Sequence, residues 1–333
     1  MPKLRVVQVG LGPVGVAIAR LAAERDGLDL VGAADPRPDL VGRDLADLLG
    51  AGPSGSRIAA DAETLVRSHR PDVVLHATGS RLAEVARELR VLIPHRLAIV
   101  STCEELAYPF YRHPELALEL DRLATEARSV LLGTGVNPGF VMDKLIATLL
   151  GACRTVRSVR VSRVVDASAR REPLQRKIGA GITLEEFETR RREERIGHVG
   201  LAESAHMIGD VIGLPADRAL RETLGPRLAT RRIETAFLVV EIGRVSGIEQ
   251  SAEIESGGIV RVRLDLRMEV GAEDSRDAMV VDGSPPISFA IPGGLHGDEA
   301  TAAIAVNCAG LAARLEPGLR TMLDVPVRFS GAV

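Results

Sequence analysis

Residues 1–135 alternate short apolar runs with stretches of helical periodicity, and that alternation leaves few folds open. "LRVVQVG", "LDLVGAAD", "DVVLHATG" (72–79), "LAIVST" (97–102) and "SVLLGTG" (129–135) are apolar almost throughout, as strands covered on both faces must be. Between them "PVGVAIARLAAE", "RLAEVARELRVL" and "HPELALELDRLATEA" repeat apolar residues at the spacing of one helix face. This order predicts a parallel sheet with crossover helices, because parallel neighbours need a long connection.

Beyond about residue 150 the texture changes. "TVRSVRVSRVVDAS", "RRIETAFLVVEIGRVSGIEQ" and "IVRVRLDLRMEV" alternate apolar with charged residues, which predicts strands of an open, largely antiparallel sheet with one face in water. "TLEEFETRRREERIG" interleaves acids and bases, so it reads as a solvated helix face and not as a basic arm. "DEATAAIAVNCAGLAARL" predicts a strongly apolar C-terminal helix with Asp298 as its N-cap, and "PGLRTMLDVPVRF" predicts a short strand at its end.

Composition narrows the partners. With 46% hydrophobic and 26% charged residues the chain reads as a soluble globular protein, and 42 Lys plus Arg against 45 Asp plus Glu give neither nucleic acid nor an anionic membrane anything to bind. "MPKLRVVQVG" enters a strand at once, without room for a signal peptide, and no run of about 18 apolar residues occurs, so a cytoplasmic protein is expected. The three cysteines lie far apart without CxxC spacing, and none of the seven histidines forms H-x-x-x-H or H-E-x-x-H. No disulfide framework and no metal are expected.

Gly10, Gly12 and Gly15 form G-x-G-x-x-G, with Pro13 and Val14 between them, directly after the first strand and at the start of a helix. The glycines suit a tight turn, close approach of backbone to a pyrophosphate and close packing of helix on strand, while the helix N-terminus offers free N–H groups to the phosphates. Asp35 ends the second strand 20 residues after Gly15, where a carboxylate can accept from both ribose hydroxyls. That favours NAD; Arg37, two residues later, can accommodate the 2′-phosphate of NADP or stack on adenine. A Rossmann-type dinucleotide domain using NAD or NADP is therefore expected.

In such a sheet, ligands bind outside the carboxyl ends of the strands. "HATGS" (76–80), with Thr78 and Gly79, "STCEE" (101–105) and "GTGVNPG" (133–139) all follow strands and converge on the cofactor edge. Of the adjacent Glu104 and Glu105, one can face the nicotinamide as a general base while the other caps a turn. A carboxylate there suits a substrate that arrives as an ammonium and must lose a proton before its carbon gives up hydride. Asn137 has an amide that can satisfy the nicotinamide carboxamide; its alternative is to hold the Val136–Gly139 turn. Cys103 opens a rival reading, a thiolate attacking an aldehyde with His198 as base. A second rival is a non-catalytic dinucleotide-binding sensor that uses the open sheet for partner contact.

"GLGPVG", "STCEELAYP", "GTGVNPGF", "HVGLAES" and "GGLHGDEATAAIAVNCAGL" together resemble the dihydrodipicolinate reductase-like proteins, and within them the 2,4-diaminopentanoate dehydrogenases and native amine dehydrogenases. The resemblance spans most of the chain. It implies a Rossmann domain over residues 1–140, an α+β substrate and dimerisation domain over 141–297, and a C-terminal segment, 298–333, that packs back on the first. It also implies NAD(P)-dependent oxidative deamination of an amine to a ketone or aldehyde plus ammonia, the reverse reductive amination, and a homodimer. The family's catalytic glutamate falls within "STCEEL", assigned to Glu104 with Glu105 as the alternative. His198 in "HVGLAES" resembles a pocket residue of the family, His296 does so more weakly, and Phe140 and Met142 stand where they can line the substrate pocket or the core. The histidine and lysine cluster of dihydrodipicolinate reductases is missing.

Overall fold

The structure, a computed structural model, describes residues 3–50, 55–326 and 328–329. It divides into two compact units: residues 1–140 with 296–333, and residues 141–295.

In the first unit β1 (Leu4–Val9), α1 (Pro13–Glu24), β2 (Leu28–Ala34), α2 (Leu45–Leu49), α3 (Ala62–His69), β3 (Val73–His76), α4 (Leu82–Leu92), β4 (Ala98–Ser101), α5 (Pro114–Ala127) and β5 (Val130–Gly133) follow in order. The strands are parallel and largely buried on both faces, as their near-continuous apolar runs predict. Successive side chains alternate between two cores. Val7, Val74, Ile99 and Leu131 pack under α3, α4 and α5 with Leu65, Leu89 and Leu120. Val6, Leu75, Val100 and Leu132 pack on the other face with Ile18 and Ala22 of α1. Each aliphatic side chain so buried contributes about 1.5–3 kcal/mol.

The second unit contains α6 (Lys144–Leu150), β6 (Thr155–Asp166), α7 (Glu172–Lys177), α8 (Leu184–Arg192), α9 (Leu201–Val211), β7 (Leu220–Leu228), β8 (Ile233–Glu234), β9 (Val239–Val240), β10 (Val245–Ser256), β11 (Ile259–Glu269), β12 (Arg276–Ser284) and β13 (Ile287–Pro292). Six strands form one sheet in the order β13-β12-β6-β11-β10-β7. Four pairings are antiparallel; β6 and β11 pair in parallel, so the sheet is mixed. One face is apolar, with Val161, Leu264 and Leu266 buried and α9 packed on β10 and β11. The other carries the charged residues of the period-2 pattern as ion pairs: Arg221 and Arg263 with Glu253, Arg267 with Glu269, Arg157 with Asp282. Helix α8 pairs Glu186 with Arg190 and Glu188 with Arg191 on its exposed side, as its interleaved charges predict.

After residue 295 the chain rejoins the first unit. Helix α10 (Gly297–Ala312) lays Ala302, Ala305, Val306 and Ala309 on the β1/α1 core face, and β14 (Gly318–Arg320) pairs in parallel with β5. The parallel sheet thus reads β14-β5-β4-β3-β1-β2. No helix among the described residues is long and apolar enough to cross a membrane.

Three local expectations give way. Residues 231–250 are not one strand: the Thr235 hydroxyl accepts from the N–H of Phe237 and of Leu238, closing a turn between β8 and β9, and Gly243 at φ 80° turns the chain again before β10. The cap of α10 is His296, which accepts from Glu299 N–H at 3.4 Å; Asp298 falls inside the first turn, where its charge complements the helix dipole. The terminal strand opens the segment it was expected to end, and a 3-10 turn, Met322–Asp324, follows it; Val327 lies outside the described residues.

Candidate active site

Because the strands of the first unit are parallel, the segments after β1 to β5 gather on one edge. There the N–H of Gly10 donates to the Ala34 carbonyl at 2.9 Å. Gly10 has φ 84°, and a side-chain carbon on Gly15 would sit 2.0 Å from the Gly10 carbonyl oxygen, so neither position accepts another residue. Nothing lies within 4 Å of the corresponding point at Gly12, the N-cap of α1, with Pro13 at N1 and Val14 behind it. The loop thus presents bare backbone and a helix N-terminus to open space, the requirement for a diphosphate.

Asp35 follows β2 with only 7% of its side chain exposed. It accepts from Leu11 N–H at 2.8 Å, from Arg37 N–H at 3.0 Å and from Arg37 Nε at 2.9 Å; the same guanidinium donates to the Leu11 carbonyl at 2.8 Å. Burial pushes this carboxyl up, but the hydrogen bonds from Arg37 and Leu11 outweigh it and hold Asp35 below the usual carboxylate range. Sequence spacing alone does not reveal that Asp35 and Arg37 are bound to each other.

Thr78 and Gly79, after β3, line a cavity of about 530 Å³ with Asp61 and Glu63 of the α3 start and Glu84 and Glu88 of α4. Asn137, after β5, has its side-chain oxygen buried with no hydrogen-bond partner, an acceptor waiting for a donor.

The two glutamates separate. Both begin a 3-10 turn, Glu104–Ala107, at the end of β4. Glu105 is buried: its Oε2 accepts from the N–H of Leu82, the first residue of α4, at 2.7 Å, and lies 2.7 Å from His113 Nε2. Its charge is committed to a helix N-terminus. Glu104 is only half-buried, between fully buried Cys103 and buried Glu105. Cys103 does not fit the thiolate reading: burial, together with the charges of Glu104 and Glu105, pushes its pKa up to about 12, and its thiol donates to the Ser80 carbonyl.

The expected substrate residues fall on both units. Phe140 lines a cavity of about 230 Å³ with Ile304, Cys308 and Leu311 of α10. His296 caps that helix. Met142 and His198 belong to the second unit; Met142 is wholly buried, and Gln250 grips the His198 backbone, accepting from its N–H at 2.9 Å and donating to its carbonyl at 3.0 Å. Sequence reading missed His76, Ser101 and Glu88, a network in which buried His76 joins buried Ser101 to the partly exposed Glu88; the one signal was a histidine closing the apolar run "VVLH".

With this geometry in hand, comparison with known proteins is specific. The 2,4-diaminopentanoate dehydrogenase C-terminal domain family matches residues 140–331. The 2,4-diaminopentanoate dehydrogenase of Acetoanaerobium sticklandii is 30% identical, over 98% of this chain and 94% of the relative. The structure of an amine dehydrogenase from Mycobacterium smegmatis superposes with a TM-score of 0.84 at 26% identity, covering 98% of this chain and 96% of that one. GenD2 from gentamicin A biosynthesis, solved in complex with NAD, shares the fold at a TM-score of 0.58 and 17% identity, covering 97% and 90%. The chain belongs to the 2,4-diaminopentanoate dehydrogenase family, dehydrogenases whose shared frame here is a parallel Rossmann-like sheet with a second, mixed sheet.

Proposed function

We propose that the protein is an NAD(P)-dependent amine dehydrogenase, which deaminates an amine oxidatively to a ketone or aldehyde plus ammonia and runs the reverse reductive amination. The observation that carries this is the place of the two glutamates at the strand end: Glu105 is buried against the start of α4 and His113, whereas Glu104 beside it is half-buried and so keeps access to a ligand at that edge.

The residues fit a dinucleotide. The Gly10–Gly15 loop would take the diphosphate, Asp35 and Arg37 the adenosine ribose, Thr78 and Gly79 the middle of the cofactor, and the orphaned Asn137 oxygen the carboxamide N–H. When bound, the nicotinamide accepts or supplies the hydride. Glu104 binds the substrate ammonium as its counter-charge and removes a proton, so that the carbon bearing nitrogen can release hydride. Once Glu104 has released that proton to solvent, it deprotonates the water that attacks the resulting iminium and passes the proton to the amino nitrogen, so that ammonia leaves as the carbonyl forms. In reverse Glu104 holds ammonium near the carbonyl and passes protons as water is lost.

A carboxylate-bearing diamine is the second reading, favoured by the family and by the Acetoanaerobium relative. Oxidation of pentan-2-amine and of 2,4-diaminopentanoate with NAD or NADP separates the two, because the pair shares a carbon skeleton and differs in the carboxylate and second amine. Turnover lost in Glu104→Gln and retained in Glu105→Gln supports the base. Cofactor binding without turnover of these amines, or of a panel of ketones with ammonium, would leave the sensor reading in its place. We further infer that His198 is a substrate-binding residue, and that the sheet of the second unit joins two copies into a cytoplasmic homodimer. A monomer in light scattering at micromolar concentration would refute the dimer.

A further inference from the structure

His76 closes β3 and is wholly buried, an ionisable side chain inside an apolar sheet. Both ring nitrogens are engaged. Nδ1 lies 2.8 Å from Ser101 Oγ, and Nε2 lies 2.8 Å from Glu88 Oε2 and 2.9 Å from Thr78 Oγ1. Burial pushes the Glu88 carboxyl up, but the hydrogen bonds it receives from His76 and from the hydroxyl of Thr78 hold it below its usual range, so it is a carboxylate and accepts. Nε2 therefore donates to Glu88, and Nδ1 shares a hydrogen bond with the Ser101 hydroxyl. Ser101 Oγ in turn accepts from Cys103 N–H at 3.1 Å, and the His76 carbonyl accepts from Thr102 N–H at 2.9 Å. One residue thus grips, by ring and backbone, the three positions that precede Glu104.

Serine, histidine and glutamate in line suggest a nucleophile and its base, but Ser101 and His76 are both 0% exposed, out of reach of any substrate. Stability alone gives little reason for the network, since apolar side chains of similar shape would avoid its desolvation cost. Its place does: β3 and β4 pair here, His76 opposite Ser101, and the next residues of β4 enter the turn that bears Glu104.

We propose that His76 is a positioning residue for Glu104, acting through Ser101 and the Cys103 amide to fix the turn that aims the carboxylate. The proposal rests on Glu104 being the base. Its test compares wild type, His76→Phe, Ser101→Ala and His76→Gln, each alone and combined with Glu104→Gln, in single-turnover reductive amination of a ketone the wild type accepts, with ammonium and NADH. NADH affinity is followed separately by nicotinamide fluorescence.

His76→Phe is expected to slow turnover roughly 10- to 100-fold, the scale of a misplaced catalytic group, with the NADH Kd within about twofold. In the Glu104→Gln background it should alter the residual rate by less than about twofold, because a group that acts only through another is not additive with its removal. His76→Gln, whose amide can accept from Ser101 and donate to Glu88, should recover most of the rate. If His76→Phe does not fold, Ser101→Ala carries the same comparison. An unchanged rate in these variants, an equal loss in the Glu104→Gln background, or a parallel loss of NADH affinity overturns the proposal while leaving the base intact. Full activity in Glu104→Gln alone removes the base, and the proposal with it.

Discussion

Replacing Arg37 with alanine is expected to weaken NADPH binding about 30-fold and to leave NADH binding within about threefold. The guanidinium is held 2.9 Å from Asp35 Oδ1 and 2.8 Å from the Leu11 carbonyl, with its side chain 50% exposed. It therefore neutralises a buried carboxylate at the ribose end of the loop while remaining accessible to a ligand. Without it Asp35 keeps only the N–H groups of Leu11 and residue 37, and its charge faces an incoming 2′-phosphate directly. Two unit charges 4 Å apart interact by about 1 kcal/mol in water and about 4 kcal/mol near a protein surface, so a half-exposed site gives about 2 kcal/mol, or ~30-fold. NADH, with a hydroxyl there, meets no such repulsion. Fluorescence titration of both reduced cofactors measures the contrast, which should shrink at high salt as the charges are screened. Equal losses for the two cofactors would refute the reasoning, since Arg37 would then not sense the 2′ position.

Glu105→Ala removes the acceptor of a buried N–H and of His113, and should cost about 1–3 kcal/mol of stability; Glu104→Ala should abolish turnover, and turnover that survives in Glu104→Ala but is lost in folded Glu105→Ala would exchange the two roles. Cys103→Ala should keep turnover within a few-fold, and native protein should resist iodoacetamide at Cys103, because a buried thiol with a pKa near 12 is not a nucleophile; complete loss of activity would restore covalent catalysis. Asp35 titrates below its unfolded value, so its contribution to stability is fully present above about pH 4 and fades as pH falls through its folded pKa. The melting-temperature gap between wild type and Asp35→Asn should accordingly narrow from pH 7 toward pH 3, and a gap that widens would contradict that sign.

Much of this molecule is legible in local pattern. Near-continuous apolar runs in "LRVVQVG" and "LAIVST" specify strands buried largely on both faces, helical spacing between them specifies crossovers, and Gly10, Gly12 and Gly15 specify a loop only bare backbone can make. Those features depend on periodicity and on steric limits of single residues, which a sequence carries explicitly. The edge strands β7 and β13, and β12 beside β13, stayed unread because partial exposure blurs their alternation, and the 231–250 run was misread because a side-chain turn at Thr235 interrupts it.

The site divides along the same line. Sequence alone brought Asp35, Thr78, Glu104, Glu105 and Asn137 to one edge, since parallel strands must end together. It could not distinguish two adjacent glutamates of identical chemistry. Their difference lies in which one meets the N-terminus of α4, a contact between residues 82 and 105 that exists only once the helix has packed on the sheet. The grip of Asp35 and Arg37 on the Leu11 backbone, the orphaned oxygen of Asn137 and the burial of His76 likewise arise from segments distant in sequence closing around one another. A sequence states which groups are present and roughly where; desolvation and hydrogen-bond partnership, which decide what each group can do, are properties of the packed chain.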